Sequence, residues 1–469
     1  MTVSRVIKNT VWLTVGEIVG RLLRIALILY SARVLGVAEW GVSSYLLSWA
    51  VLFTIATDLG LSAIVTRELV RDHSRRAEHL STFLFAKLAL LFVAGFIIIL
   101  AVPMVSALPL SRSLMISLAF LVFFDSMRII ATTVNKAREM MRNEAFINIF
   151  TQAAILVIGI LLLLRNPSAE ALNIAYAVGS GLGTLYAFFL IRDYLPGILS
   201  TFRRQHGIQL IKDALPIAIV GLVGSLMLNT DIVMLGWMRT AAEIGYYSAT
   251  QKIIFTLYVL PTLIASATFP VMARLAHDAT VFKLFFEKIM RSALLVALPV
   301  TVGGIITAPR LIELFYGAEY VPATASYIIL LFTVPIAFAT AIINNALIAH
   351  NSQKHFLAYA SIGLSMNVVL NFILIPFLGI NGAALATLIT ETYTGIFIWR
   401  KINLLSGFTV PHGLGKAFAA CAVMGAVAYV ATRAHMPVLL VICIAVLCYV
   451  GALWATREPA FLELTNTGK

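Results

Sequence analysis

The feature that most constrains this chain is a succession of apolar runs, each about as long as a membrane-spanning helix, joined by short polar stretches. Spanning the hydrocarbon core takes about 20 mostly apolar residues. A window of that length finds fourteen candidates among the 469 residues: 11–35, 41–66, 81–103, 114–134, 146–164, 173–191, 215–238, 246–273, 292–308, 326–349, 357–377, 382–399, 417–432 and 437–455. Soluble domains carry roughly 25% charged residues, whereas 12% of this chain is charged and 61% is hydrophobic. That excludes a soluble globular enzyme and predicts an all-α polytopic membrane protein. The first run holds Glu17, Arg21 and Arg24, is too long for a signal peptide and lacks a small-residue cleavage site, so it is expected to stay as a span. Cys421, Cys443 and Cys448 sit in late apolar runs without metal-ligand or redox spacing and read as small buried hydrophobes.

Lys and Arg number 34 against 21 Asp and Glu, a formal charge of +13. With both termini cytoplasmic, 23 of the basic residues fall on the cytoplasmic side, 5 outside and 6 within spans. This asymmetry predicts a multi-pass protein of the cytoplasmic (inner) membrane with N- and C-termini inside. The positive excess then answers to anionic membrane lipids, and no nucleic acid is needed. The longest polar stretches, 67–80, 192–214 and 274–291, are all on the cytoplasmic side, and no outer loop reaches twenty residues. A membrane glycan polymerase or ligase, which needs a sizeable substrate-holding loop, is thereby disfavoured. The sequence has no Gly-x4-Gly-Lys-Ser/Thr phosphate loop, HExxH pair or G-x-S-x-G elbow. The expectation is a transporter and not an enzyme, with no catalytic residues, cofactor or metal.

An internal repeat sets the organisation. Ala38-Glu39-Trp40-Gly41-Val42-Ser43-Ser44 matches Ala242-Glu243-Ile244-Gly245-Tyr246-Tyr247-Ser248 at Ala, Glu, Gly and the last Ser, with an offset of 204. Six spans separate the copies, so both halves enter the bilayer in one orientation. This predicts two parallel six-helix lobes, 1–200 and 201–405, with two additional C-terminal helices in 406–469.

A charge near the bilayer centre costs at least about 2.5 kcal/mol, so each should face a cavity or a partner. Glu17, Arg21 and Arg24 share one helix face. They read either as a self-neutralising Glu17–Arg21 pair with Arg24 snorkelling, or as a cationic stripe whose guanidinium forks suit phosphate. Asp125 and Arg128 read as a local i,i+3 pair, and Lys87 is expected to snorkel. Asp58 lies near the cytoplasmic end of its span. Asp231, among Leu226, Leu228, Ile232 and Val233, is a candidate proton or cation site, or a partner for Lys252. Glu391 completes five acids against five bases, which predicts a paired, amphiphilic interior. Asn344, Asn345, Asn367 and Asn371 read as interhelical glue.

Taken in order, several strings resemble a known family. They are Ala32-Arg33-Val34-Leu35-Gly36 through Glu39-Trp40-Gly41, Asp58-Leu59-Gly60-Leu61, Thr66-Arg67-Glu68, Lys136-Ala137-Arg138-Glu139 and Asn143-Glu144-Ala145. Asp231-Ile232-Val233-Met234-Leu235-Gly236, Glu243 to Ser248, Phe315-Tyr316-Gly317 with Glu319-Tyr320, and Gly379-Ile380-Asn381-Gly382-Ala383-Ala384 follow. The pattern, from about residue 5 to 405, resembles the polysaccharide or oligosaccharide-lipid flippases of the MOP superfamily, which also holds the MATE exporters and the lipid II flippase. The resemblance implies two six-helix lobes around a V-shaped cavity that opens alternately to each side. It implies a polyprenyl-diphosphate-linked oligosaccharide as cargo, moved to the outer leaflet for cell-surface polysaccharide biosynthesis. Arg21, Arg24, Lys252 and Arg128 are the candidate substrate-binding residues. Glu17, Asp58, Asp125, Asp231 and Glu391 are the ion-coupling or paired acids, with H+ or Na+ as candidate ions. A glycan polymerase or other assembly protein is a candidate partner. The alternative within transport is a MATE-like, cation-coupled exporter of organic cations.

Overall fold

The computed structural model describes residues 3–72, 74–199, 201–202, 204–350, 353–407, 414–458 and 461; Arg203 and Lys469, counted above among the basic loop residues, lie outside them. Among the described residues there is no strand. A helix suits a bilayer span because it satisfies its own backbone N–H and C=O groups where no water can. The chain divides by its contacts into two compact units, with the division after Gly245.

The first unit begins with α1 (Val3–Asp58) and α2 (Leu61–Arg71), followed by α3 (Arg76–Val105), α4 (Arg112–Ala137), α5 (Met141–Arg165), α6 (Ala169–Leu190) and α7 (Arg204–Met238). Helix α1 holds the first two expected spans. It is broken at Gly36, whose φ of 70° and ψ of 177° suit glycine. Leu59 (φ 45°) and Gly60 (φ 69°) then turn the chain into α2. A side chain at Gly60 would press on Ile217 and on the Ala214 carbonyl of α7. Helix α1 packs along α5 and α7, and α4 along α6. The α1–α5 seam is close because Gly16 and Gly20, spaced G-x3-G, lie against Ala145 and Asn148.

The repeat also makes a contact. A Cβ on Gly41 would collide with the Ala241 carbonyl oxygen, and a Cβ on Gly245 with the Val37 carbonyl oxygen. Val37 and Ala241, like Gly41 and Gly245, are 204 residues apart. The repeated segments therefore mate reciprocally, each glycine admitting the backbone of the other copy.

Helix α8 (Ala241–Leu257) runs into the second unit, which continues with α9 (Val259–Leu275), α10 (Ala279–Tyr316), α11 (Thr324–Leu331), α12 (Thr333–Ala349), α13 (Gln353–Leu378), α14 (Ile380–Ser406), α15 (Leu414–Arg433) and α16 (Val438–Ala455). Two expected spans are interrupted, one at Tyr258 between α8 and α9, the other at Phe332 between α11 and α12. Across these breaks the Tyr258 hydroxyl and the Thr333 hydroxyl share a hydrogen bond of 2.5 Å. Helices α15 and α16 are fastened to α10. Tyr449 Oη donates to the Leu295 carbonyl at 2.8 Å, Arg310 donates to the carbonyls of Thr432 and Met436, and Arg291 pairs with the fully buried Glu458. Cys421 is buried in that packing as expected, but Cys443 is exposed and Cys448 half-buried, because their faces of α16 point away from α15 and α10.

Among the described residues, eleven helical segments are long and apolar enough to cross a membrane, and the bent pair α1–α2 makes a twelfth. The break at Gly36 divides α1 into its two expected spans, and α14, more polar through Asn381, four threonines and Glu391, carries the remaining one. Each of the fourteen expected spans thus falls on helix, and the protein is an all-α polytopic membrane protein.

Gly41→Ala and Gly245→Ala should each cost about 2 kcal/mol or more, because the colliding atoms are backbone. Gly451→Ala, in open space, should be neutral or stabilising by up to about 1 kcal/mol. Thermal unfolding of the purified variants checks the contrast.

Candidate functional site

Helix α1 has two distinct faces. Gly16 and Gly20 are buried against α5, where Asn148 Nδ2 donates to the Gly16 carbonyl at 3.1 Å. Glu17, Arg21 and Arg24 lie on the open face. Arg21 Nε and Glu17 Oε1 stand 2.6 Å apart, so of the two readings left open by the i,i+4 spacing the pair forms. Arg24 makes no ion pair or hydrogen bond among the described residues; its charge acts on Tyr176 of α6. The stripe is therefore one neutralised pair and one uncompensated guanidinium.

Asp58 closes α1, and its partner corrects the expectation for Lys87. Lys87 does not snorkel: its side chain is fully buried, with Nζ 3.1 Å from Asp58 Oδ1 and donating to Ser126 Oγ at 3.0 Å. The ammonium also sits 5.3 Å from the Phe83 ring centroid. Thr57 Oγ1 donates to the same Ser126 hydroxyl at 3.0 Å, and Ser62 Oγ donates to Asp58 Oδ2 at 2.6 Å. Four helices thus meet in one polar node beside the left-handed turn at Leu59 and Gly60. The face that Lys87 occupies, directed at α4, prevents its stem from reaching an interface.

Asp125 and Arg128 pair at 2.7 Å, as the spacing predicted, but the pair extends further than one helix. Arg128 Nη1 donates to Ser180 Oγ at 2.9 Å, and the Ser180 hydroxyl donates to Asp125 Oδ1. Gly179, Gly181 and Gly183 bring this stretch of α6 close to Ile155, Phe124 and Thr151. Ser126, Ser180 and Asn148 were not singled out from sequence. Small-residue spacing, Gly16-x3-Gly20 and Gly179-x-Gly181-x-Gly183, was the available signal for the close seams that place Asn148 and Ser180.

Asp231 is buried on α7 in the first unit, while Lys252 on α8 and Glu391 on α14 are half-buried in the second. Thr230 donates to the Leu226 carbonyl and Asn229 to the Ser225 carbonyl, so these neighbours of Asp231 bond to their own helix. Asn345 Nδ2 donates to the Ala265 carbonyl of α9 at 2.7 Å, the gluing role expected of it. Asn371 Nδ2 also bonds Asn367 Oδ1 within α13, at 3.0 Å. Among the described residues no cluster of His, Cys, Asp and Glu could hold a metal ion.

Removing one partner of a buried pair strands the other's charge, at a cost of about 3–5 kcal/mol. Lys87→Met should show that loss in thermal unfolding, and Lys87→Met combined with Asp58→Asn should recover most of it. A double variant as unstable as the single would mean that the node is held by packing alone.

The chain matches the family described as polysaccharide biosynthesis protein over residues 6–276. It is 22% identical over 383 residues to the "Probable low-salt glycan biosynthesis flippase Agl15" of Haloferax volcanii, covering 81% of this chain and 80% of that one. It is 25% identical over 205 residues to the "Probable flippase AglR" of the same organism, 42% of this chain and 43% of that one. Its fold resembles the lipid II flippase MurJ in an inward closed conformation, with a TM-score of 0.76 at 17% identity over 96% of this chain and 99% of that one. An inward-facing MATE family multidrug resistance transporter of the MOP superfamily follows, with a TM-score of 0.66 at 14% identity over 85% and 99%. The fold is thus that of the MOP transporters, and with its family match spanning more than half its length the chain belongs to the polysaccharide biosynthesis protein family.

Proposed function

We propose that the protein is a flippase that moves a polyprenyl-diphosphate-linked oligosaccharide from the cytoplasmic to the outer leaflet by alternating access, for cell-surface polysaccharide biosynthesis. The observation that carries this reading is Arg24, an uncompensated guanidinium on the open face of a membrane helix. A bare cation at that depth costs at least about 2.5 kcal/mol, and an anionic cargo offsets the cost. A guanidinium fork matches diphosphate oxygens in a way that an ammonium does not. The family match and the named glycan flippases among the relatives supply the cargo class.

The paired acids favour this reading over an exporter of organic cations. Asp58 is engaged by Lys87, Asp125 by Arg128 and Glu17 by Arg21, so these acids are already neutralised within the protein. We assign cargo contact to Arg24 and Arg21, with Arg128 and Lys252 as further contributors. Asp231 and Glu391 are the proposed coupling acids, with H+ or Na+ as the ion. The membrane potential supplies about 2.3 kcal/mol per charge per 100 mV. The proposed setting is the cytoplasmic membrane, with both termini inside and glycan-assembly proteins as partners. Lobes 1–200 and 201–405, with 406–469 appended, are the proposed moving parts.

Leaflet-resolved transport of a short polyprenyl-diphosphate glycan in proteoliposomes tests the proposal. Arg24→Ala should reduce the rate by at least about tenfold, the worth of one charge-assisted contact, and Arg24→Lys should retain part of it. Undiminished transport by Arg24→Ala at equal protein content would overturn the assignment.

A further inference from the structure

The second unit contains a groove of about 600 Å3 between α12 and α14, which the transport reading does not use. Its lining residues on α14 are Thr392, Gly395, Ile396, Trp399, Arg400 and Asn403, a run of i,i+3,i+4 spacings that forms one helix face. The opposite wall is apolar, with Pro335, Ile336, Ala339 and Ile343 of α12. Two threonines in the groove do not make it polar. Thr392 Oγ1 donates to the Leu388 carbonyl at 2.7 Å, and Thr340 Oγ1 to the Ala337 carbonyl at 3.3 Å. At Gly395 the helices come close, since a Cβ there would meet Ile336 Cγ2 at 3.2 Å.

Polarity is concentrated at one end, where Trp399, Arg400 and Asn403 gather in the last turns of α14. Arg400 is exposed and makes no hydrogen bond or ion pair among the described residues. A trench that is apolar along its length and ends in a free guanidinium, an indole and an amide has the polarity profile of a phospholipid. We propose that this groove is a binding site for an anionic glycerophospholipid of the surrounding bilayer, with an acyl chain along α12 and α14 and the headgroup phosphate on Arg400. The charge decides between lipid classes, because a net negative headgroup pairs with the guanidinium while a zwitterionic one brings its own cation. The bound lipid would brace α12 against α14. This site does not depend on what the protein transports.

The test is native mass spectrometry of the purified full chain titrated with phosphatidylglycerol, phosphatidylcholine or a polyprenyl phosphate. Phosphatidylglycerol should bind about tenfold more tightly than phosphatidylcholine, the worth of one charge-assisted contact. Arg400→Gln should abolish that preference. Lys401→Gln, on the opposite face of α14, should preserve it, and Gly395→Leu, which fills the groove, should weaken both phospholipids. Equal binding of the two phospholipids, or a preference unchanged in Arg400→Gln, would overturn the proposal. Tighter binding of the polyprenyl phosphate than of phosphatidylglycerol at this groove would also overturn it, by assigning the groove to an isoprenoid chain.

Discussion

A chain that crosses a bilayer has no water to solvate its charges, so each buried polar group must find its partner inside the protein. The Lys87–Asp58 contact meets that demand for the first unit. One ammonium, fully buried, holds the carboxylate that ends α1, and through Ser126 it holds α4 as well. The chain reverses into α2 immediately afterwards, through two residues with positive φ. Position, charge and backbone conformation are therefore fixed together. Any rearrangement of α1 that separated Asp58 from Lys87 would strand both charges.

Close glycine seams decide which faces of the helices are left over. Gly16 and Gly20 give one face of α1 to α5, and what remains carries Glu17, Arg21 and Arg24. The same logic operates where the repeated segments meet. Gly41 and Gly245 let two helix starts approach until each backbone occupies the other's missing Cβ. On α1, packing buries the small-residue face and leaves the charged face open. On the proposed reading, that charged face is the one an anionic cargo would meet.

Much of this was legible in the sequence, because spans follow from length and apolarity and a local pair follows from helix spacing. Glu17–Arg21 and Asp125–Arg128 formed as their spacings allow, whereas the contact between the repeated segments was not legible in the repeat itself. What the sequence could not supply was rotation between helices. The depth of Lys87 alone is compatible with snorkelling; only its face, directed at Asp58 and Ser126, makes it a structural cation. Ser180 joined the Asp125–Arg128 pair for a similar reason, since a hydroxyl on another helix leaves no periodic trace. The breaks at Tyr258 and Phe332 fall inside apolar runs that satisfy every criterion for one continuous span. Cys443 shows the limit for hydrophobes: an apolar run reports that a residue avoids water, but not whether protein or lipid covers it.

On the proposed reading, the open face of α1 binds a diphosphate, with Glu17 competing for Arg21. Affinity of the purified protein for a short polyprenyl-diphosphate glycan measures this directly when wild type is compared with Arg24→Gln and Glu17→Gln. The two substitutions should act with opposite signs, with weaker binding in Arg24→Gln and tighter binding in Glu17→Gln, where Arg21 is released from its internal partner. Unchanged affinity in Arg24→Gln, or weaker binding in Glu17→Gln, would contradict that reading.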